Sequence, residues 1–313
     1  MLPPPAPVPP AVPFNGHKRE EYPSGDAYEG AFKRGLRHGV GTYYCADGCR
    51  YEGEFLEGKM EGKGSYFYLQ DERYEGEWHE SQRHGYGTFT YSDGATYEGR
   101  WEADLRHGQG LMRYKDGSMY TGTWTNDRRH GQGQMTFADG GHYSGAWEND
   151  ARHGQGTMKL PNGSNYEGEY VEDIPSGEGI LWDVDAQSLY SGNFQDGLRH
   201  GVGTCEYKKL KEKFVGEWKE GARLEGLMHL ADEEVERVAY VNDILVRREK
   251  LTKIEQEKIL GVESITEPEE VQSVPPRSSE LFQHSFNLEE DSAAERAAEA
   301  EGTEAGPPEA VRK

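Results

Sequence analysis

The chain is poor in most of what builds an ordinary globular core. Apolar residues make up only 34% of its 313 positions, and mean hydropathy is -0.94. No apolar run reaches the length of a transmembrane helix, and the opening residues carry no signal-peptide pattern. Cysteine is almost absent: Cys45, Cys49 and Cys205 are odd in number and form no CxxC pair. That excludes a disulfide framework and sets the expectation of reduced thiols in a cytosolic protein. Positive charge is also short. Thirty-five basic residues stand against 57 acidic ones, a formal net charge of -22. From Glu263 onward, 13 acidic and 4 basic residues put -9 of that charge on the tail and leave -13 on the rest. Both portions repel nucleic acid at long range, so DNA and RNA are not expected partners. A membrane surface would need a local basic stripe.

What the chain has in place of apolar mass is a repeat. Tyr28, Tyr51, Tyr74, Tyr97, Tyr120, Tyr143 and Tyr166 lie 23 residues apart, and Tyr190 and Phe214 follow at steps of 24. A short fixed period predicts an array of one small unit, each burying its apolar face on the next. In the unit from Tyr97 to Met119, Tyr97, Gly99 and Trp101 share one face of a strand while Glu98 and Arg100 share the other. Gly110, Met112 and Tyr114 alternate with Leu111 and Arg113 in a second strand. Period-two alternation with aromatics predicts half-buried antiparallel strands. Asp47-Gly48, Asp93-Gly94, Asp116-Gly117, Asp139-Gly140 and Asn162-Gly163 close the units, and such pairs predict two-residue turns with positive φ at both central residues. Gly99 between two large aromatics leaves room where a Cβ would collide. Each hairpin advances roughly 10 Å, so nine reach about 90 Å.

Tyr-Glu-Gly-x-Trp, then His-Gly-x-Gly, then Asp-Gly resembles the MORN repeat (membrane occupation and recognition nexus). Eight copies run from Tyr28 to Lys213, a ninth begins at Phe214-Val215-Gly216-Glu217-Trp218, and a half copy, Tyr22-Pro23-Ser24-Gly25, precedes them. The resemblance implies an all-β fold, an elongated single-layer array of stacked antiparallel hairpins. The long array, the Arg-His-Gly signature and the acidic tail are similar in layout to radial spoke head proteins of the meichroacidin type. That likeness implies a structural component of a ciliary or flagellar axoneme, cytoplasmic and cytoskeletal, whose partners are other axonemal or cytoskeletal proteins.

The ends read differently. Residues 1–13 hold seven prolines, which predicts an extended, disordered leader with two PxxP steps. Residues 14–228 are the array. In 229–262, Val238 to Val246 reads either as a capping hairpin with an Asn-Asp turn or as a helix, and Arg247 to Leu260 predicts a short amphipathic helix. Residues 263–313 form an acidic tail of disordered composition.

Three recurrent surfaces are candidate sites. His38, His84, His107, His130, His153 and His200 form a ladder, but ligating nitrogens must lie about 2 Å from one metal, and successive hairpins stand roughly 10 Å apart. Each histidine precedes a glycine at what reads as a turn, so a packing role is expected. Arg37, Arg83, Arg106, Arg129, Arg152 and Arg199 would stack into a cationic edge able to meet a protein partner or acidic phosphoinositide headgroups. Asp104, Asp127, Asp150 and Asp196 lie a few positions away and would blunt it. Glu29, Glu52, Glu54, Glu75, Glu77, Glu98, Glu167 and Glu169 would project together as an acidic stripe. The buried tyrosines Tyr28, Tyr51, Tyr74, Tyr97, Tyr120, Tyr143, Tyr166 and Tyr190 are expected to be structural. No GxSxG, HExxH or Walker-type loop is present, and no segment is long and ordered enough for the lipid-kinase or SET domains that accompany such repeats elsewhere. The expectation is a non-enzyme without metal or cofactor. Alternatives are a phosphoinositide-binding adaptor between membrane and cytoskeleton, or an accessory subunit of an enzyme complex. The open ends of the array also admit a homodimer.

Overall fold

The computed structural model describes residues 14–256 together with 258 and 259. Twenty-one strands, from β1 (Gly16–Glu21) to β21 (Ile244–Lys250), build a single sheet. Every strand pairs antiparallel with its neighbours in sequence alone. The sheet is therefore a continuous meander, open at β1 and at β21. One compact unit ends at Leu251 and a second begins at Thr252. The described part of the second is a short helical stretch over residues 253–256, 258 and 259. Its start is a capping box: Thr252 donates its N–H (2.9 Å) and hydroxyl (2.6 Å) to Glu255 Oε2, and the Glu255 N–H returns to Thr252 Oγ1 at 3.4 Å.

A sheet with no second layer must make its core from its own side chains. In β8 (Thr96–Glu102) and β9 (Leu105–Arg113), Gly99 lies opposite Gly110. With no Cβ on either strand, the Tyr97 ring lies flat across the pair, fully buried, and its hydroxyl donates to the Arg100 carbonyl at 3.0 Å. Trp101 meets that ring edge-on at 5.2 Å, and Trp124 from β10 (Met119–Thr125) meets it at 5.4 Å. Each tyrosine is thus clamped between its own hairpin's aromatic and the next one's. Such T-shaped pairs add about 0.5–1.5 kcal/mol beyond area burial. The pattern runs from Tyr28 with Phe32 and Phe55 to Tyr190 with Phe194 and Trp218. Trp78, Trp101, Trp147 and Trp218 also donate Nε1 to a glycine carbonyl of the preceding hairpin at 3.1–3.3 Å.

The turns depart from the sequence reading. In Tyr91-Ser92-Asp93-Gly94 only the glycine has positive φ, 89°. Gly94 N–H donates to the Tyr91 carbonyl at 3.0 Å and Tyr91 N–H to the Ala95 carbonyl at 2.9 Å, while the Asp93 carboxylate caps the Ala95 N–H at 3.0 Å. This is a type I turn closed by a left-handed glycine bulge, not the expected two-residue mirror-image turn. The mirror-image turns lie on the opposite margin of the sheet, where Ala103 and Asp104 have φ of 47° and 69°, and Asn126 and Asp127 of 50° and 67°. Nor does the His-Gly step stand at a turn. Trp101 pairs with Arg106 and Gly99 with Gly110, so Arg100 alone faces His107 to Gln109 across a bulge, and Gly108 supplies its left-handed φ of 58°.

The C-terminal ambiguity resolves as a hairpin. β20 (Val235–Val241) and β21 turn at Asn242 and Asp243, with φ of 51° and 60°. The helix expected from Arg247 is a correction: Arg247 to Lys250 complete β21, paired with Glu236 to Ala239, and helical residues start at Lys253. Sheet pairing of the backbone outweighs the Lys/Glu-rich composition there. The expectations for residues 1–13 and 263–313 fall outside the described residues.

The glycine pair carries a test. A Cβ on Gly99 would stand 2.5 Å from Gly110 Cα and 2.7 Å from the Gln109 carbonyl oxygen, and one on Gly122 2.5 Å from Gly133 Cα. Backbone atoms cannot rotate away, so Gly99→Val is expected to cost about 3 kcal/mol in urea unfolding, with loss of amide protection centred on β8 and β9. An unchanged melting curve would contradict the close approach.

Candidate functional site

The arginines stand at the margin of the mirror-image turns, and each lies beside the turn of the following repeat. Arg83 donates its backbone N–H (3.0 Å) and Nε (3.1 Å) to one oxygen of Asp104, and Nη2 to the Asp104 carbonyl at 2.8 Å. The same three bonds, all between 2.7 and 3.1 Å, join Arg106 to Asp127, Arg129 to Asp150 and Arg152 to Asp173. The guanidinium plane also lies over the next repeat's aromatic, 4.3 Å from Trp101 for Arg83 and 4.2 Å from Trp124 for Arg106. These four arginine side chains are only 19–22% exposed, and their aspartates 42–51%. The guanidinium is thus half sunk into the aromatic layer, with a carboxylate above it. Where a repeat has no arginine, the turn changes with it: Met60 faces Ser81, whose hydroxyl accepts the Met60 N–H at 3.0 Å.

Arg37 and Arg199 hold the same place but face Gly58 and Gly221. Arg37 donates Nη2 to the Gly58 carbonyl at 2.7 Å and stacks 4.5 Å from Tyr43. Arg199 stacks 4.5 Å from Trp218. The sequence puts the aspartates near the arginines but hides which belongs to which, because the partner comes from the next repeat. A constant offset of 21 residues from Arg83, Arg106, Arg129 and Arg152 is the signal in the sequence. That offset reaches Asp173 from Arg152, but Asp243 and Arg223 carry no such signal of their own, the last because Leu replaces His after it. Arg223 donates Nε to Asp243 at 2.7 Å and stacks 4.2 Å from Tyr240. Burial pushes the Asp243 carboxyl up, but the hydrogen bond and charge of Arg223 outweigh it and hold the group below its usual range.

Tyr28, Tyr51, Tyr74, Tyr97, Tyr120, Tyr143, Tyr166 and Tyr190 are all buried. Burial raises the phenol of Tyr190 to about 12 and keeps it neutral. The histidines spread along the array. His107 and His153 each approach the glutamate at the end of the preceding strand, Glu102 and Glu148, at 3.5 Å. Among the described residues no three His, Cys, Asp or Glu side chains gather as metal ligands. On the outer face, Glu54 and Glu77 accept the backbone N–H groups of Lys63 and Tyr86 beside the bulge, both at 3.2 Å. Glu29 pairs with Arg19 at 3.3 Å and Glu52 with Arg50 at 2.7 Å. No helix among the described residues is long and apolar enough to cross a membrane.

This chain belongs to the MORN-repeat family: the family model matches residues 28–50, 51–68, 74–96, 97–119, 120–142, 143–165, 166–185 and 190–209, more than half of the chain. Membership carries a repeat-based binding or scaffold role. No curated protein matches it. Among solved structures it is similar to the TCP domain of Drosophila melanogaster SAS-4 (dCPAP), determined in complex with a proline-rich motif of Ana2 (dSTIL). The TM-score is 0.32 and the identity 12%, over 56% of this chain and 88% of that one. It is also similar to the TCP10 domain of Danio rerio CPAP, with a TM-score of 0.35 and 8% identity over 66% and 96% of the two chains. Likeness this distant assigns nothing to this chain.

The terminal clamp is expected to respond to acid. A carboxylate whose pKa is lower folded than unfolded contributes stability that is present above its ordinary value, 3.8 for Asp243, and is lost as pH falls through the folded value. Hydrogen exchange of β20 and β21 should therefore accelerate, relative to β8 and β9, as pH drops below 3.8. Asp243→Asn should flatten that dependence. An unaltered pH profile in the variant would contradict the role of the clamp.

Proposed function

We propose that the protein is a non-enzymatic scaffold of the ciliary or flagellar axoneme, similar in role to a radial spoke head component, which docks other proteins along its hairpin array. One observation carries this reading: the tyrosine ladder and the aromatics that clamp it are consumed in the core, while the turn margins and the outer face repeat exposed side chains, both charged and apolar, at a fixed hairpin spacing. A partner meets the same chemistry every roughly 10 Å, which suits a docking rail. The axonemal setting rests on the layout of long array, Arg-His-Gly signature and acidic tail. Residues 14–228 act as the rail, and the proline-rich segment 1–13 and acidic segment 263–313 as its flanks.

The ion pairs weigh against a lipid-tether role. Four of the six arginines proposed for a phosphoinositide edge each hold an aspartate within 3.1 Å, so that edge approaches neutrality there. A tagged copy in ciliated cells should stay with the demembranated axoneme after detergent extraction. Release with the membrane fraction would overturn the axonemal reading and favour the phosphoinositide adaptor.

A further inference from the structure

The pairing of arginine with the next turn breaks at two places. Arg83, Arg106, Arg129, Arg152 and Arg223 face aspartate, while Met60 and Pro175, which bring no guanidinium, face Ser81 and Gly197. Arg37 and Arg199 keep the guanidinium and face glycine. Among the described residues no carboxylate lies within 4.0 Å of either. Asp26 feels the Arg37 charge but is bonded to Ser24, Tyr43 and the Ala46 N–H, and Asp243 feels Arg199 but is held by Arg223 at 2.7 Å.

We propose that Arg37 and Arg199 are docking points for the carboxylate side chains of an acidic peptide segment on a partner protein. The chain itself defines the ligand. In four repeats the backbone N–H and Nε of arginine converge on one carboxylate oxygen at 2.8–3.1 Å. Arg37 and Arg199 occupy the same register in their hairpins, Arg37 opposite Phe32 and Arg199 opposite Phe194, as Arg83 lies opposite Trp78. The position is reachable from solvent, because the aspartates that fill it elsewhere are 42–53% exposed. It is also open here: nothing lies within 4 Å of where a Cβ on Gly58 would project, and only Leu198 Cδ2, at 3.8 Å, beside one on Gly221. Stacking on Tyr43 and Trp218 strips water from one face of each guanidinium, which strengthens its attraction for a carboxylate. At Arg37 the turn carbonyl already takes Nη2. The Tyr43 hydroxyl also accepts a hydrogen bond from the Arg37 guanidinium, and Arg199 Nη1 reaches Cys205 Sγ at 4.0 Å. The backbone N–H and Nε, which elsewhere converge on one aspartate oxygen, therefore suit a carboxylate better than the three-oxygen face of a phosphate.

This inference rests on the protein-docking reading above but is read with purified protein, so its failure leaves the axonemal test untouched. The assay is anisotropy of a fluorescein-labelled hexaglutamate peptide against the full chain at physiological salt, where a Debye length of about 8 Å screens the net negative charge. Gly58→Asp/Gly221→Asp supplies the missing internal carboxylates and should weaken binding by about tenfold or more. Gly117→Asp/Gly140→Asp adds the same charge at open turn glycines on the other margin and should leave binding intact. Arg37→Met/Arg199→Met, which copies the methionine found naturally at Met60 in the same register, should match the first variant. Melting curves verify that each variant is folded. Undiminished binding in Gly58→Asp/Gly221→Asp, or no peptide binding at all, overturns the proposal. So does competition by inorganic phosphate, or by vesicles containing phosphatidylinositol bisphosphate, that is tighter than the peptide's own binding.

Discussion

The structure depends on the close approach of two glycine-bearing backbones beneath a tyrosine ring. Ordinary sheets bury one face against another layer. Here Tyr97, Tyr120 and their equivalents lie down over pairs such as Gly99 and Gly110, and become fully buried within a single sheet. The ring can lie there only because neither strand carries a Cβ at that point. Once it does, its hydroxyl reaches the carbonyl three residues on, and its edge presents itself to two tryptophans. Burial, hydrogen bonding and aromatic geometry all follow from one steric permission. The same permission explains how a chain with 34% apolar residues holds a sheet of twenty-one strands.

The arginine clamp is a second layer of coupling built on the first. In Arg83, Arg106, Arg129 and Arg152 the guanidinium rests on an aromatic of the next hairpin and bonds the turn of that hairpin, so its contribution appears only between units. This is nearest-neighbour energetics of the kind expected for repeat arrays. Exposed ion pairs contribute little singly, but here the aromatic beneath removes solvent from one side and the backbone N–H shares the same oxygen. A line of arginines that looks like a cationic edge in the sequence is therefore largely a line of internal fasteners.

Much of the fold is legible in the sequence. The 23-residue ladder of tyrosines, the alternation in Tyr97 to Trp101 and the inward glycines follow from period two and from size, and all describe the observed sheet. The turn chemistry is legible in location but not in type. Asp93-Gly94 signals a turn, yet whether the aspartate adopts positive φ depends on how many residues the loop closes over, and that is set by the register of the paired strands. The mirror-image turns leave a weaker signal because Ala103-Asp104 and Glu172-Asp173 lack the expected glycine. The His-Gly bulge is misplaced for a related reason: a bulge leaves no compositional mark beyond the glycine it needs. The pairing of Arg83 with Asp104 is a contact between repeats. Sequence proximity points instead to Arg106, two positions from Asp104. Arg247 to Lys250 read as helix because propensity acts on isolated segments, whereas an exposed sheet edge offers a backbone partner.

The central claim is that each hairpin's core is shared only with its neighbours, through one tyrosine. The most direct measurement is residue-resolved hydrogen exchange on Tyr120→Ala, a truncation expected to cost about 3 kcal/mol or more. The account predicts that protection falls in β10 and β11 (Arg128–Thr136), less in the hairpins on either side, and not at all near β1 or β20. Uniform loss along the whole sheet, or no loss at β10 and β11, would contradict it.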